Sequence, residues 1–454
     1  MHTVFSFVLA IAILVAVHEF GHFATAVALR VKVLRFSIGF GPRLLGWRSA
    51  RLGTEFVISA LPLGGYVKFL DERDGEVAAK DLPFAFNRQS IKVRAAIVAG
   101  GPLANFLLAI LLYTGINWYG VEQAKPLLST PTAGSLAETA GIRGGELVLT
   151  ASVDGQESVA TPSFDDVRWQ LTQSALAHQD VTLELGDANG NYLKQAVLPL
   201  SQLAVTEADA SLFKKIGIQT PWSPAQLGGL LAGAAAEQAG LKSGDLVMQV
   251  DETIIVDASQ LRELIQKAVG LNKEGVSQVW RLKRGDAVLT LRVTPRVESV
   301  QGVLVGRIGA YIGQPPATVT VRYGAWDGLS RAITRTWEVS VLSLQMIGKI
   351  VMGQASLKNL SGPISIADYA GQSASMGAVP FVTFLALISI SVGVLNLLPV
   401  PVLDGGHLMY YLWESLTGKP VSESWMEQFQ KVGLLVLLMM MSVAVFNDVA
   451  RLWG

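Results

Sequence analysis

Four stretches of the 454-residue chain are long, apolar and nearly free of charge. Thr3 to Leu29 is interrupted only by His18, Glu19 and His22, and Ala95 to Val121 carries no charge at all. Ala370 to Leu403 is uncharged and densely apolar from Val379 to Leu398, and Val432 to Asn447 reads VGLLVLLMMMSVAVFN. A spanning helix needs about 20 apolar residues, so the pattern predicts four transmembrane helices. The first lacks the basic start and small-residue cleavage site of a signal peptide, so it reads as a retained span. Elsewhere the pattern changes. "TEFVISALPLGGYVKF" (Thr54 to Phe69) sets β-branched and aromatic residues around Pro62, Gly64 and Gly65. That predicts a β-hairpin apolar enough to dip into the membrane. From Trp326 to Gly353, Leu329, Ile333, Trp337, Val341 and Leu344 fall on one helical stripe, as in an amphipathic helix lying on the outer membrane surface.

Between the second and third spans the chain repeats itself. "AETAGIRGGELV" (Ala137 to Val148) recurs 99 residues later as "AEQAGLKSGDLV" (Ala236 to Val247). A repeat of that length is a domain rather than a solenoid unit. Each copy predicts a short helix ending in Gly, a turn, and an apolar strand running into Asp154 or Asp251. Both copies resemble the PDZ family, the first less closely because Glu146 replaces the Asp and two extra residues precede Asp154. PDZ domains bind peptide ends by adding a strand to a sheet edge, and in the second copy Lys215 to Ile218 is the expected edge. The fold class expected is thus a polytopic α-helical membrane protein with a membrane-associated β-hairpin and two β-rich PDZ-like domains. Residues 1–121 hold the first two spans, 122–215 and 216–315 the two PDZ-like domains, 316–369 the amphipathic linker and 370–454 the last two spans.

Composition agrees with a membrane protein. Half the residues are hydrophobic and 16% are charged, against about a quarter charged in ordinary soluble domains. Lys+Arg and Asp+Glu both number 36, so net charge offers no case for nucleic acid as a partner. Cysteine is absent, which removes disulfides and thiolate metal sites. Arg30, Lys32, Arg35, Arg43, Arg48 and Arg51 follow the first span, and basic residues collect on the cytoplasmic side. Both termini and the region from Glu122 to Tyr369 are then expected outside.

Against this background "VAVHEFGHFATA" (Val15 to Ala26) places ionisable groups where they are most expensive. On a helix His18 and His22 lie one turn apart on the same face, so both imidazoles can reach one ion. Glu19 is on a neighbouring face, placed to act on a water at the metal rather than on the metal. That is the arrangement of a zinc hydrolase. The bland alternative, a pair of core histidines, weakens inside a membrane, where ionisable residues are functional by default. A catalytic zinc needs a third protein ligand. Asp404 in "NLLPVPVLDGGH" (Asn396 to His407) is the best candidate, because the topology puts it at the depth of His18 and His22, with His407 as its competitor. Pro399 and Pro401 interrupt the helix there, and Gly405 and Gly406 permit close approach of another helix.

HEFGH in the first span and LDGG in the third resemble the site-2 protease family of intramembrane zinc metalloproteases. The two PDZ-like copies resemble its Gram-negative branch. "RFSIGFGP", "LPLGGYVKFLDE", "AGGPLANF" and "NLSGPISIA" belong to the likeness, which covers essentially the whole chain. The resemblance implies zinc as cofactor, His18, His22 and Asp404 as its ligands, and Glu19 as general base. It also implies cleavage of transmembrane segments of anchored proteins in a bacterial inner membrane, among them a pre-trimmed anti-sigma factor and remnant signal peptides. A substrate helix hides its amides in its own hydrogen bonds, so it must be held extended. The hairpin residues Ile58, Gly64 and Gly65 and the amide of Asn396 are the candidates for holding it. Over the site, the outer domains would exclude substrates with large outer parts or dock peptide ends. A transporter would typically show inverted repeats, and none is visible. A membrane-tethered PDZ scaffold leaves HEFGH and LDGG unexplained.

Overall fold

Where the sequence is uniformly apolar the chain forms helices long enough to cross a bilayer. The structure is a computed structural model that describes residues 2–203, 210–300, 303–354 and 362–453. It divides into two units, Met1–Gly120 with Arg322–Gly454, and Val121–Val321. In chain order the main elements of the first unit are α1 (His2–Ala28), β1 (Val33–Arg48), β2 (Glu55–Phe69), α2 (Ile91–Tyr119), α3 (Ala325–Val351), α4 (Pro363–Met376), α5 (Ala378–Leu397), α6 (Asp404–Thr417) and α7 (Glu423–Trp453). Four of them hold stretches long and apolar enough to span a membrane: Thr3–Ala28, Ile91–Tyr119, Ala378–Leu397 and Ser424–Arg451.

Within the uncharged run from Ala370 to Leu403, the dense part expected at Val379 to Leu398 is one helix, α5, and the residues before it belong to α4. Gly377, at φ +122°, separates α4 from α5. At the other end Leu398 turns extended, as a residue before proline must. Asp404 therefore opens α6 instead of closing the third span. The α1–α2 crossing is set by small residues: a Cβ on Gly21 would strike the Gly100 carbonyl, and one on Gly100 would strike the Gly21 carbonyl and Thr25. Such pairs let membrane helices approach closely. Ser389 of α5 donates to the Asn105 carbonyl of α2 at 2.8 Å. Asp448 of α7 accepts from the backbone N–H groups of Gly362, Ile364 and Ser365, capping α4. Asn359, Leu360 and Ser361 of the "NLSG" motif lie outside the described residues.

Two further expectations for this unit change. Thr54 to Phe69 is not a hairpin in itself. It forms the single strand β2, whose partner is β1. The long pair folds back, so Phe36–Ile38 lies between Gly65–Val67 on one side and Phe56–Ile58 on the other, and Phe56–Ile58 also pairs with Leu45–Trp47. Local composition could not show this, because the partner strand lies upstream. Phe36, Phe56, Val67 and Phe69 pack with Phe23 and Ala26 of α1 and Ile97 of α2, which seats the sheet against the helices. The second change concerns α3. It is a helix, but its buried face is Gly328, Ala332, Thr336 and Val339, and it packs against α2 and α5. Ile333, Trp337 and Leu344 of the expected stripe face outward, at 49%, 70% and 50% exposure.

The second unit holds the repeat. Its two four-stranded sheets have the same order: 159–160, 147–153, 181–186 and 192–198 in one, and 253–254, 246–250, 278–284 and 287–293 in the other. A helix follows the second strand in each, Phe164–Leu176 and Ala258–Lys267. Glu146 does the work of Asp245. Glu146 accepts from the N–H of Arg143 and Gly144 and pairs with Lys194; Asp245 accepts from the N–H of Lys242 and pairs with Arg284. Val121–Ala124 pairs with Thr318–Val321, so the chain enters and leaves this unit through one ribbon. Lys215 to Ile218 is not an edge strand of the second copy. Lys215 and Ile216 end a short helix, Gly217 has φ +94°, and both isoleucines are fully buried. Gly217 packs on Ser135 and Ala137 of the first copy, since two isoleucines flanking a helix-ending glycine are buried by the nearest apolar surface.

Candidate metal centre

The helical spacing of HEFGH does what it predicts. His18 and His22 face each other edge to face, with Nε2 atoms 3.2 Å apart. Asp404, brought in by the first turn of α6, places Oδ2 3.2 Å from His18 Nε2 and 3.5 Å from His22 Nε2. The glycines after it are needed by the chain's own approach rather than by another helix. A Cβ on Gly405 would strike the Leu398 carbonyl and one on Gly406 the Val400 carbonyl, so the loop through Pro399 and Pro401 folds back onto the start of α6. Among the described residues these three form the one group of His, Asp or Glu side chains arranged to hold a metal.

The set fits zinc. Ligand atoms about 2.0–2.2 Å from a tetrahedral zinc stand roughly 3.3–3.6 Å from one another, close to the three separations here. Asp404 Oδ2 is buried without a hydrogen-bond donor, a costly state for a carboxylate with no cation beside it. The tautomers agree. His22 Nδ1 lies 2.9 Å from the Ile97 carbonyl; a carbonyl only accepts, so Nδ1 carries the proton and Nε2 is free. His18 Nδ1 lies 3.2 Å from the side-chain amide of Asn105, whose oxygen has no partner. With that oxygen turned to His18 it accepts from Nδ1–H and frees Nε2.

Glu19 lies beside the ligands on the wall of a cavity of about 630 Å³, which His18, His22, Gly65, Asp404 and His407 also line. A Cβ on Gly65 would fall 2.7 Å from the Ser37 carbonyl and 2.9 Å from Glu19 Cγ, so only glycine lets β2 run against the glutamate. His407, the rival ligand, lines the cavity but stands outside the group of three. Gly64 packs against Phe40. Ile58 pairs with Ile38 and Leu45; like Asn396, in the last turn of α5, it is absent from the cavity wall.

Sequence reasoning missed Asn105, Gly101 and the Ile97 carbonyl. A Cβ on Gly101 would strike the His22 ring and lie 2.8 Å from His18 Cε1, so the glycine keeps α2 clear of both imidazoles. The signal was present in "AGGPLANF": a fully buried amide in a charge-free span raises the same question as HEFGH.

Peptidase family M50 matches residues 6–440. The chain belongs to this family. It is 40% identical over 467 residues to a Ralstonia nicotianae protein whose name proposes a zinc metalloprotease, covering 100% of this chain and 99% of the relative. It is 38% identical to a Salmonella typhimurium protein named Regulator of sigma-E protease RseP and 37% identical to its Escherichia coli namesake. Each of those alignments runs over 454 residues and covers 98% of both chains. The protein is therefore a metalloprotease with, among the described residues, four helices able to span a membrane. The transporter and scaffold readings are not favoured, since the M50 match includes HEFGH and Asp404 together.

Proposed function

We propose that this M50 protease cuts peptide bonds inside transmembrane segments of membrane-anchored proteins, with zinc held by His18, His22 and Asp404. One observation carries the reading: three ligand atoms converge within 3.2–3.5 Å on and beside helices apolar enough to span a bilayer. Zinc, when bound, supplies a Lewis acid that polarises the scissile carbonyl and acidifies water. His18 and His22 give their Nε2 lone pairs, and Asn105 and the Ile97 carbonyl keep those rings turned the right way. Glu19 takes the proton of the attacking water and returns it to the leaving amine nitrogen.

The substrate must be unwound and held. Gly65, Tyr66, Val67 and Phe69 line the cavity, and β1 pairs with this stretch from one side. An extended substrate segment would add itself on the other side through main-chain hydrogen bonds. Gly64 would shape that strand, Ile58 would act through the sheet behind it, and Asn396 would bond the extended backbone from the end of α5. Relatives named Regulator of sigma-E protease support regulated intramembrane proteolysis, and an envelope stress response is the setting we propose for it. A pre-trimmed anti-sigma factor and remnant signal peptides are the proposed substrates. We place the protein in the bacterial inner membrane, with both termini and the repeat unit on the periplasmic side. The two repeats, read as PDZ-like, would dock peptide ends or exclude substrates with large outer domains.

The test is detergent-purified protein with a model transmembrane peptide, with and without chelator, read by mass spectrometry. Cutting within the apolar segment should stop on chelation and return with added zinc. A peptide left whole by the zinc-loaded protein sinks the reading.

A further inference from the structure

Two turns beyond Asp404 on α6, Tyr410 is 7% exposed and its hydroxyl is buried with no hydrogen-bond partner. A phenol left unsatisfied in an apolar wall is costly. Tyr410 lines two cavities at once: the metal cavity, and a second of about 460 Å³ between α6 and the start of α7. The sequence builds the second one directly. Met409, Tyr410 and Trp413 fall on one side of α6, Trp425 and Phe429 stand one turn apart on α7, and the link between the helices closes it. That link begins where Gly418, left-handed at φ +71°, ends α6. Pro420 and Val421 also border both spaces, so the two adjoin at Tyr410.

We propose that this second cavity is a subsite of the protease. It takes a large apolar side chain of the unwound substrate while the Tyr410 hydroxyl donates to a substrate backbone carbonyl at the junction. The proposal rests on the metal cavity being where peptide bonds are cut. Its occupant follows from adjacency and chemistry. An extended strand sends successive side chains to opposite faces, so a residue near the cut must be housed beside the metal cavity, and a transmembrane substrate offers apolar ones. The walls are mainly aromatic and apolar, with Ser422 among them, and the unpartnered Tyr410 hydroxyl belongs to a residue that lines both spaces. Trp413 and Trp425 are 56% and 59% exposed, so the pocket opens where an aromatic belt meets lipid. A lipid acyl chain is therefore the competing occupant.

Those two tryptophans report on the pocket. Full-length Glu19→Gln protein is mixed with a model transmembrane peptide carrying one p-nitrophenylalanine, moved residue by residue past the cut. Tryptophan quenching should peak at a single position within a few residues of the cut and vanish in the Trp413→Phe/Trp425→Phe variant. Vesicles of brominated phosphatidylcholine form the second arm; quenching of the same two tryptophans that peptide fails to relieve assigns the pocket to lipid and overturns the proposal. In active protein Tyr410→Phe should raise KM about fivefold, the loss of one neutral hydrogen bond, with kcat and the cut position unchanged. Ser422→Trp, which fills the pocket, should move the preference at the quenching position from aromatic residues to Ala by about tenfold in kcat/KM. Equal losses for both peptides also overturn it. A peptide that quenches at one position but is never cut by zinc-loaded wild-type protein refutes peptide hydrolysis and leaves the pocket standing. Cutting without position-dependent quenching refutes the pocket alone.

Discussion

Replacing Asn105 by Leu tests whether the metal centre depends on orientation or only on its three ligands. The Asn105 side chain is fully buried, its bond to the His18 ring is 3.2 Å long, and Ser389 bonds only its backbone carbonyl. Leucine has nearly the same size, so the α2–α5 contact through Ser389 survives and little cavity is created. What disappears is the acceptor that keeps the proton on His18 Nδ1. The ring is then free to turn, or to carry its proton on Nε2, where it blocks a metal. Losing the partner that orients a metal-bound histidine typically weakens metal affinity by about 10–100-fold, roughly 1.4–2.7 kcal/mol. Asn105→Asp keeps an acceptor at the same place and should hold affinity at or above the wild-type value. The assay is competition for zinc against a chromophoric chelator in detergent, with the melting temperature of zinc-free protein as the control for packing. If Asn105→Leu binds zinc as tightly as wild type while melting normally, His18 is oriented by something else and the tautomer argument fails.

Glu19→Gln should lower cleavage by about 10²–10⁴-fold, the usual contribution of a general base, with zinc content unchanged; ordinary turnover in that variant removes Glu19 from the role. Elemental analysis should find zinc depleted in Asp404→Ala and retained in His407→Ala, and the reverse pattern would make His407 the third ligand. Gly101→Ala presses a methyl group on the imidazoles and should reduce zinc occupancy at least about tenfold while the protein still folds; full occupancy there would mean the helices part easily. In the repeat unit burial pushes the Asp245 carboxyl up, but the Arg284 ion pair and the Lys242 N–H outweigh it and hold the group below the usual carboxylate range. Its contribution to stability is therefore present above the unfolded value of about 3.9 and lost as pH falls through the lower folded value. Hydrogen exchange in the second repeat of the full chain should accelerate across that window, and Asp245→Asn should flatten the change; an unaltered profile would contradict the assignment.

Four long apolar runs, one period-3.6 pair of histidines and a 99-residue repeat are local patterns, and each determined its own outcome. Hydrocarbon admits a helix wherever some 20 apolar residues follow one another, and i, i+4 spacing aligns two side chains whatever surrounds them. The boundaries were less legible. Gly377 ends α4 just before the dense part of the third run, and absence of charge on both sides did not mark that break. The same limit explains the strand from Glu55 to Phe69. Its composition gave its conformation, but its partner, 33–48, lies upstream and is fixed by how the pair packs on Phe23 and Ile97. Lys215 to Ile218 had a strand-like pattern and became a helix end, since burying two isoleucines mattered more than local alternation.

The candidate site divides in the same way. Sequence alone placed His18, Glu19 and His22 on one helix and offered Asp404 against His407. Asp404 stands 382 positions beyond His22, and only packing brings it within 3.5 Å: the proline loop folds back over two glycines and aims the first turn of α6 at α1. Asn105, Gly101 and the Ile97 carbonyl act from α2, and the pocket beside Tyr410 exists only because α6 and α7 meet. Spacing along one helix is set by covalent geometry and can be read from a string. Orientation of a ring, and the space left between helices, depend on which surfaces exclude one another, and that is decided when the chain packs.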